Sequence, residues 1–286
     1  MRLDDRYWTV NEHIKDGTNR SIRKKVSGGW FAHTPRTDFD TESLISAKLG
    51  EGGIVPILGL LLTVDDACHF TRAFKHHSTR HSKMKPSAET LMAGLIARGC
   101  NIGVNKLARI SLGIKGHTLR NTVNWFFGLE NLQKCNQAIV DMIGNLALAN
   151  HYRADASEVH SSSDGRKLNV AVPSLHANYS FKYFGKDKGV TDYTYIDDRN
   201  ALFHSQVFSA SDREAAYVID GLLGNYARDH QIHSTDTHGF TEIIFGACHL
   251  LGIDFAPRLA KLPQHRIYGF SAPATYRRKG YEIIPS

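Results

Sequence analysis

Apolar residues recur at helical spacing through the first half of the chain, once a polar opening stretch has ended. One such stripe consists of Leu91, Met92, Leu95 and Ile96. Ser87 lies before this stripe, where the N-cap of a helix is expected. The same spacing continues over residues 118–127 and over residues 132–146. Residues 54–150 are therefore predicted to form an α-helical subdomain.

After residue 151 the apolar residues fall on every second position, which is typical of half-buried strands. The alternation covers residues 168–172 and, after a short break, residues 175–183. Further strands are predicted at residues 190–196 and 201–208. The pattern therefore predicts several antiparallel strands in succession.

Helices and one more short strand are predicted to follow these strands. Ser211 and Glu214 fit a capping box, in which the glutamate side chain reaches back to the serine amide at the start of a helix. A short strand is predicted at residues 231–235 and a buried helix at residues 241–251. This succession predicts an α/β domain over residues 151–286.

The composition indicates a folded protein with a polyanionic partner. Hydrophobic residues make up 42% and charged residues 22% of the 286, as in ordinary globular domains. The net charge of +7 favours nucleic acid, because Lys and Arg release counterions when they neutralise phosphates. Residues 1–53 form a predicted basic N-terminal segment, whose cluster fits either a phosphate contact or a solvated loop. The cluster consists of Arg20, Arg23, Lys24 and Lys25.

Sequence signals for membranes and for secretion are missing. The longest apolar run is too short to span a bilayer, and the first residues lack the apolar stretch of a secretory signal. We therefore expect a cytoplasmic protein with no membrane partner. The 4 cysteines are widely spaced and indicate neither a zinc ribbon nor a disulfide framework.

Two aspartates are the first candidates for chemistry. Asp164 precedes one predicted strand and Asp236 follows another, so both carboxylates can lie at neighbouring strand ends. Carboxylates brought together repel one another unless a hard cation such as Mg²⁺ joins them. Ordinary turn and helix-cap roles explain the same residues, and from spacing alone that simpler interpretation is favoured.

Several runs of residues resemble the catalytic half of the Tn-three family of replicative transposases. In the second half of the chain they are Ser161–Gly165, Asn178–Gly185, Arg213–Gly221, His233–Glu242 and Phe255–Arg258. In the first half they are Glu51–Ile57, Gly103–Ala108, Asn124–Phe127 and Leu129–Asn131. The resemblance spans most of the chain in the order expected for the family.

The resemblance implies an RNase H-like mixed sheet with a DDE catalytic site. Its two catalytic aspartates would be Asp164 and Asp236, and both would bind Mg²⁺. The implied reaction is nicking at the terminal inverted repeats of a transposon, followed by attack of the freed 3′-hydroxyl on target DNA. The enzyme would act as a homodimer in the bacterial cytoplasm, associated with the nucleoid.

The family's third carboxylate, a glutamate, is expected well downstream of the second aspartate. The chain ends at Ser286 without a helix that resembles this region, so we expect an internal fragment with an RNase H-like domain that is incomplete at its C-terminus. Such a fragment is expected to be inactive alone. A role as an inhibitory partner of the complete transposase is a further hypothesis.

Other residues are assigned to the surroundings of this site. His233 and His238 flank Asp236 and are predicted either to orient it or to line the site behind the metal ligands. DNA backbone contacts are predicted for Arg166, Lys167, Lys182, Lys186 and Lys188. Lysines at strand edges also discourage aggregation, so the presence of these residues can be explained without any contact to DNA.

Weaker candidates among the acidic and histidine residues have simpler explanations. Asp155 and Glu158 compete with Asp164 for the first ligand position, and Glu242 suits a helix N-terminus. A turn is predicted at Asp197 and Asp198. The segment around His69, His76, His77 and His81 fits a solvated basic surface or one that contacts phosphates, and its spacing disfavours a zinc site.

A non-catalytic DNA-binding protein is the alternative function. Residues 101–127 can form two helices joined by a turn at Gly113, which places Arg120 and Asn121 in position to face a DNA groove. Many pairs of amphipathic helices satisfy this pattern.

Overall fold

The computed structural model describes residues 3–32, 55–81, 83–153, 158–172, 174–224, 230–260 and 264–285. The chain divides into two compact units. One unit combines Met1–Gly53 with Leu259–Ser286, and the other consists of Ile54–Arg258.

In the described residues, the first unit contains helix α1 (Leu3–Lys15) and a two-stranded antiparallel sheet. Its strands are β1 (Ile22–Lys24) and β2 (Trp30–Ala32). A short helix near the end of the chain, Pro273–Arg278, contributes the fully buried Tyr276. The Tyr276 hydroxyl donates a hydrogen bond of 2.8 Å to Asp4 Oδ1, which joins the two ends of the chain within this unit.

Five helices open the second unit, as the apolar spacing predicted. They are α2 (Ile57–Cys68), α3 (Ala88–Gly99), α4 (Val104–Ile110), α5 (Gly116–Phe126) and α6 (Leu129–Asn145). Ser87 caps α3 by accepting a hydrogen bond from the Thr90 amide. Met92 and Leu119 are fully buried in the two apolar clusters between these helices. Among the described residues, no helix combines the length and the apolar character needed to cross a membrane.

The rest of the second unit is a six-stranded mixed sheet with helices. The strands are β3 (Val159–Asn169), β4 (Asn178–Tyr179), β5 (Lys188–Asp197), β6 (Leu202–Ser209), β7 (His230–Thr235) and β8 (Asp254–Phe255). The helices are α7 (Phe181–Phe184), α8 (Ala215–Leu223) and α9 (Glu242–Leu250).

Strand β3 lies at the centre of this sheet. It pairs with β5 in antiparallel fashion and with β7 in parallel fashion. On one side the sheet continues from β5 to β6 and β4, and on the other it continues from β7 to β8 in parallel fashion. Strands β3 to β6 pair in antiparallel fashion, and β7 and β8 then continue the sheet in parallel fashion after helices α8 and α9. This is a mixed α/β fold, which is compatible with an RNase H-like DDE domain.

The structure differs from the predicted strand pattern between residues 160 and 183. Strand β3 already begins at Val159, so Asp164 lies within a strand and not before one. The alternating residues 175–183 do not form one strand, because only Asn178 and Tyr179 pair with β5. The chain then makes one helical turn, and the ring of Phe184 packs over Gly189, where a Cβ would clash with it.

The predicted capping box at the start of α8 is wrong. The helix begins at Ala215, and Glu214 occupies the N-cap position without a side-chain capping hydrogen bond. The Ser211 amide donates to Ser209 Oγ instead, at 3.2 Å. The Glu214 carboxylate is therefore available for another role.

Candidate metal centre

The pairing of β3 with β7 brings Asp164 and Asp236 together. Within this parallel pair Ser161 lies opposite His233, and Ser163 lies opposite Thr235. The residue that follows each of the last pair is an aspartate, Asp164 within β3 and Asp236 directly after β7. Because neighbours in a parallel register point to the same side of a sheet, the two carboxylates project side by side. The predicted meeting of these two side chains is confirmed.

A third carboxylate joins them from the N-terminal end of α8. One carboxylate oxygen from each of Asp164, Glu214 and Asp236 lies within 4.8 Å of the other two. Glu214 was missed as a candidate because its spacing from Ser211 fits a helix cap. Its place in the family-like run Arg213–Gly221 was the one sequence signal that pointed to it.

Glu214 is a buried acid with a partly buried cationic partner. It is only 7% exposed, and Lys167 Nζ lies 3.1 Å from its Oε1 atom. Lys167 also donates a hydrogen bond of 3.1 Å to Thr191 Oγ1. Because a buried carboxylate without a partner is costly, this ion pair holds Glu214 in place as an anion.

Gly165 provides the space that Glu214 occupies. A Cβ at this position would lie 2.8 Å from both Cδ and Oε1 of Glu214. A side chain at position 165 would therefore have to displace the Glu214 carboxylate from its place on β3 next to Asp164.

Asp236 is held by the residues that follow it. Its Oδ1 accepts hydrogen bonds from the amides of His238 at 2.8 Å and Gly239 at 3.2 Å. The His238 ring lies 2.8 Å from Oδ2 through Nδ1. Partial burial alone would raise the pKa of Asp236, but these hydrogen bonds together bring the pKa below its usual value. Asp236 is therefore ionised at neutral pH.

His233 lies behind the carboxylates and does not touch them through any described hydrogen bond. Its ring is fully buried between the Ser161 and Ser163 hydroxyls, at 2.8 Å and 2.9 Å. Burial, together with His230 and His160, lowers the pKa of His233 to about 3. A neutral ring thus bridges two serines of β3 from β7. Of the two flanking histidines, His238 is the one in contact with Asp236.

The five basic residues predicted to contact DNA occupy different environments. Arg166 and Lys186 are exposed. Lys182 lies 4.8 Å from the centre of the Tyr183 ring, and Lys188 lies 5.1 Å from that of Tyr179. Lys167 is the exception, because its ammonium group is paired with Glu214.

The weaker acidic candidates lie away from the cluster. Asp197 is buried at the end of β5 and pairs with Arg199 in the turn that follows, as the sequence predicted. Glu242 is in the first turn of α9. Glu158 is exposed immediately before β3, and Asp155 lies outside the described residues.

The predicted histidine-rich surface contains an aromatic stack. His76 and His77 stack on Trp125, at 5.3 Å and 5.9 Å between ring centres. Within the described parts of the chain, the three carboxylates are the sole group of acidic, histidine or cysteine side chains placed to share a metal ion.

The two helices of the alternative function pack on each other and on the helical core. Leu119 and Val123 of α5 are buried against Leu107 of α4. Arg120 is exposed, and its guanidinium donates a hydrogen bond of 3.1 Å to Asn105 of α4. Nothing in this arrangement favours a separate DNA-reading motif over a packed helix pair.

Comparison with known proteins defines the class to which this site belongs. The family described as the Tn3 transposase DDE domain matches residues 59–283. The chain therefore belongs to this family, whose members are DDE-type transposases and thus enzymes. The family implies a divalent metal, and the carboxylate cluster offers the hard oxygen donors that such an ion requires.

Individual relatives agree with this assignment. Over 224 residues the chain is 32% identical to the transposase for transposon Tn1546 of Enterococcus faecium, covering 78% of this chain and 22% of that protein. Over 224 residues it is 31% identical to the transposase for transposon gamma-delta of Escherichia coli (strain K12), with the same coverage of 78% and 22%. Over 289 residues it is 27% identical to the transposase for transposon Tn4556 of Streptomyces fradiae, covering 95% of this chain and 32% of the relative.

Proposed function

We propose that this chain forms the metal-binding core of a transposase that uses Mg²⁺ to nick DNA at transposon ends and to transfer the 3′-hydroxyl strand to target DNA. One observation carries the proposal: three carboxylates from β3, α8 and the end of β7 converge within 4.8 Å. The chain covers 22% of its first relatives, so recognition of inverted repeats and dimer formation would involve the complete protein. Such an enzyme would work on DNA in the bacterial cytoplasm, in association with the nucleoid.

Asp164, Glu214 and Asp236 would hold the ion. When bound, Mg²⁺ would activate the attacking oxygen and neutralise charge on the phosphodiester. His238 fixes the orientation of the Asp236 carboxylate through its hydrogen bond. His233 fixes the register of β3 against β7 behind the ligands. Arg166, Lys182, Lys186 and Lys188 would position the DNA backbone.

Metal binding tests the proposal without relying on activity. In calorimetric titrations of the purified chain with Mn²⁺, we expect Asp236→Asn and Glu214→Gln each to lower the affinity by at least about tenfold, or roughly 1.4 kcal/mol. Asp236→Asn keeps Oδ1 as the acceptor for the two amides, so the loop should stay intact. Glu242→Gln is the matched control, because this acidic residue lies outside the cluster, and it should leave the affinity unchanged.

Two results would contradict the proposal. One is unchanged Mn²⁺ affinity in both cluster variants. The other is strand nicking that survives Asp236→Ala in a complete transposase. The chain was predicted to be inactive because a third carboxylate was expected to be missing, and Glu214 is a candidate for that carboxylate. Mg²⁺-dependent nicking of DNA by the purified 286-residue chain would show that Glu214 completes the site and that the prediction was wrong.

A further inference from the structure

A cleft opens directly beside the carboxylate cluster. We define this aromatic cleft by Tyr179, Phe181, Lys182, Tyr183, Arg213 and Phe240. Glu214 and His238 also line it, so its inner edge is formed by one carboxylate of the cluster and by the histidine that holds Asp236. Its volume is about 580 Å³, within the range of roughly 300–1,000 Å³ that is usual for sites of small organic groups.

Three aromatic side chains of the cleft are exposed to solvent. Phe181 is 78% exposed, Tyr179 is 54% exposed and Tyr183 is 42% exposed. Lysines lie over both tyrosine rings, whereas Phe181 makes no ring contact among the described residues. Large apolar groups clustered at the surface mark a binding site, and the face of Phe181 is open to a flat partner.

The charges around the cleft favour an anionic partner of this kind. Lys182 and Arg213 are exposed at its rim. The charge of Glu214 is matched by Lys167, and the Asp212 carboxylate at the rim accepts a hydrogen bond of 2.8 Å from the Tyr217 hydroxyl. Cations that flank an exposed ring match a nucleotide, which has a flat base and a negatively charged phosphate.

We propose that the aromatic cleft binds a nucleotide that has left the base stack of the DNA strand next to the bond that is cut. Its base would stack on Phe181, and its phosphates would contact Lys182 and Arg213. This inference rests on the proposed function, because the cleft is next to the reacting phosphodiester only if the carboxylates hold the metal. The cleft would thereby favour single-stranded or locally opened DNA over an intact duplex.

The test measures binding of a short fluorescent single-stranded oligonucleotide to the 286-residue chain by anisotropy. The solution contains EDTA, so that metal binding does not contribute. Phe181→Ala should weaken binding about tenfold, since stacking of one base contributes on the order of 1–3 kcal/mol. Phe181→Trp should retain the affinity. Lys182→Ala should lower the slope of log affinity against log salt by about 0.7, whereas Phe181→Ala should leave this slope unchanged.

Leu175→Ala is the matched control. Leu175 is 96% exposed, like Phe181 precedes β5, and does not line the cleft, so its removal should leave oligonucleotide binding unchanged. The proposal is overturned if the unmodified chain binds no single strand, or if Phe181→Ala binds as tightly as the unmodified chain. It is also overturned if Phe181→Ala changes only the sedimentation of the protein, which would identify a protein-binding surface.

The metal titration separates the two proposals. If Asp236→Asn and Glu214→Gln lose Mn²⁺ affinity, and Phe181→Ala binds Mn²⁺ normally but loses oligonucleotide affinity, both proposals are supported. If Mn²⁺ affinity is insensitive to Asp236→Asn and Glu214→Gln, the metal centre fails, whatever the oligonucleotide result. If those variants lose Mn²⁺ but Phe181→Ala binds the oligonucleotide normally, only the cleft fails.

Discussion

A buried neutral histidine connects the strands on which the candidate ligands lie. Both ring nitrogens of His233 have serine partners on β3, so the neutral ring donates to one hydroxyl and accepts from the other. Protonation would require the ring to donate twice in a place without solvent. Burial of the ring, together with the nearby His230 and His160, is the physical reason for the low pKa of His233.

The low pKa of His233 predicts a loss of stability in mild acid. Below pH 6.5 the unfolded chain binds a proton at this residue, whereas the folded chain does not until about pH 3. The stability that the neutral His233 ring contributes is therefore complete above pH 6.5 and is lost progressively as the pH falls from 6.5 to about 3. When the pH is lowered from 7.5 to 5.5, the free energy of unfolding measured in urea should fall by about 1.4 kcal/mol more for the unmodified chain than for the His233→Gln variant. Parallel pH profiles for the two proteins would contradict this assignment.

At the scale of elements, the candidate site depends on how closely α8 approaches β3. The parallel register of β3 and β7 alone places two carboxylates together. The third carboxylate, that of Glu214, lies next to them because Gly165 leaves space for the start of α8 against β3. The geometry of the ligands is thus a property of the contact between a helix and a strand.

Gly165→Ala should disturb this contact. The new methyl group would lie 2.8 Å from the Glu214 carboxylate, so the free energy of unfolding should fall by about 1–3 kcal/mol and the Mn²⁺ affinity should decrease. Gly246→Ala is the control. Gly246 lies in α9 with open space around its Cα, so alanine there should raise stability by about 0.5–1 kcal/mol. Unchanged metal affinity in Gly165→Ala would show that Glu214 does not need this position.

Periodicity predicted most of the elements but not all of them. The helices of residues 57–145 and strands β5, β6 and β7 follow the predicted pattern closely. Residues 175–183 were misassigned because aromatic residues that line the aromatic cleft alternate with polar ones, as they would in a strand. Exposed aromatic rings at a surface and a half-buried strand can both give alternating apolar and polar residues, so local spacing does not distinguish the two structures.

The candidate site shows the same limit. Spacing alone did not decide between a turn or cap role and a metal-binding role for Asp164 and Asp236. The family resemblance predicted the metal-binding role. Glu214 could not be found by spacing, because a capping box and a ligand at a helix start place a glutamate at the same distance from a serine. Only the fold distinguishes these roles, through the burial of the carboxylate and its partner Lys167.

At the scale of the whole molecule, the charge of the chain predicts how the proposed binding to DNA should depend on salt. The net charge of +7 and the exposed basic residues around the sheet favour contacts with phosphates. Affinity for duplex DNA should fall at least about tenfold between 50 and 200 mM salt, as expected when two or more phosphates are neutralised. Affinity that is insensitive to salt in an anisotropy titration would contradict this view of the surface.

Lys167 gives the acidic centre an internal counter-ion. Its ammonium group neutralises Glu214 before any dication arrives, so the repulsion among the three acids is partly relieved and β3 and α8 can assemble without metal. An incoming dication would compete with this lysine for Glu214, which would make Lys167 a determinant of how tightly the ion is held.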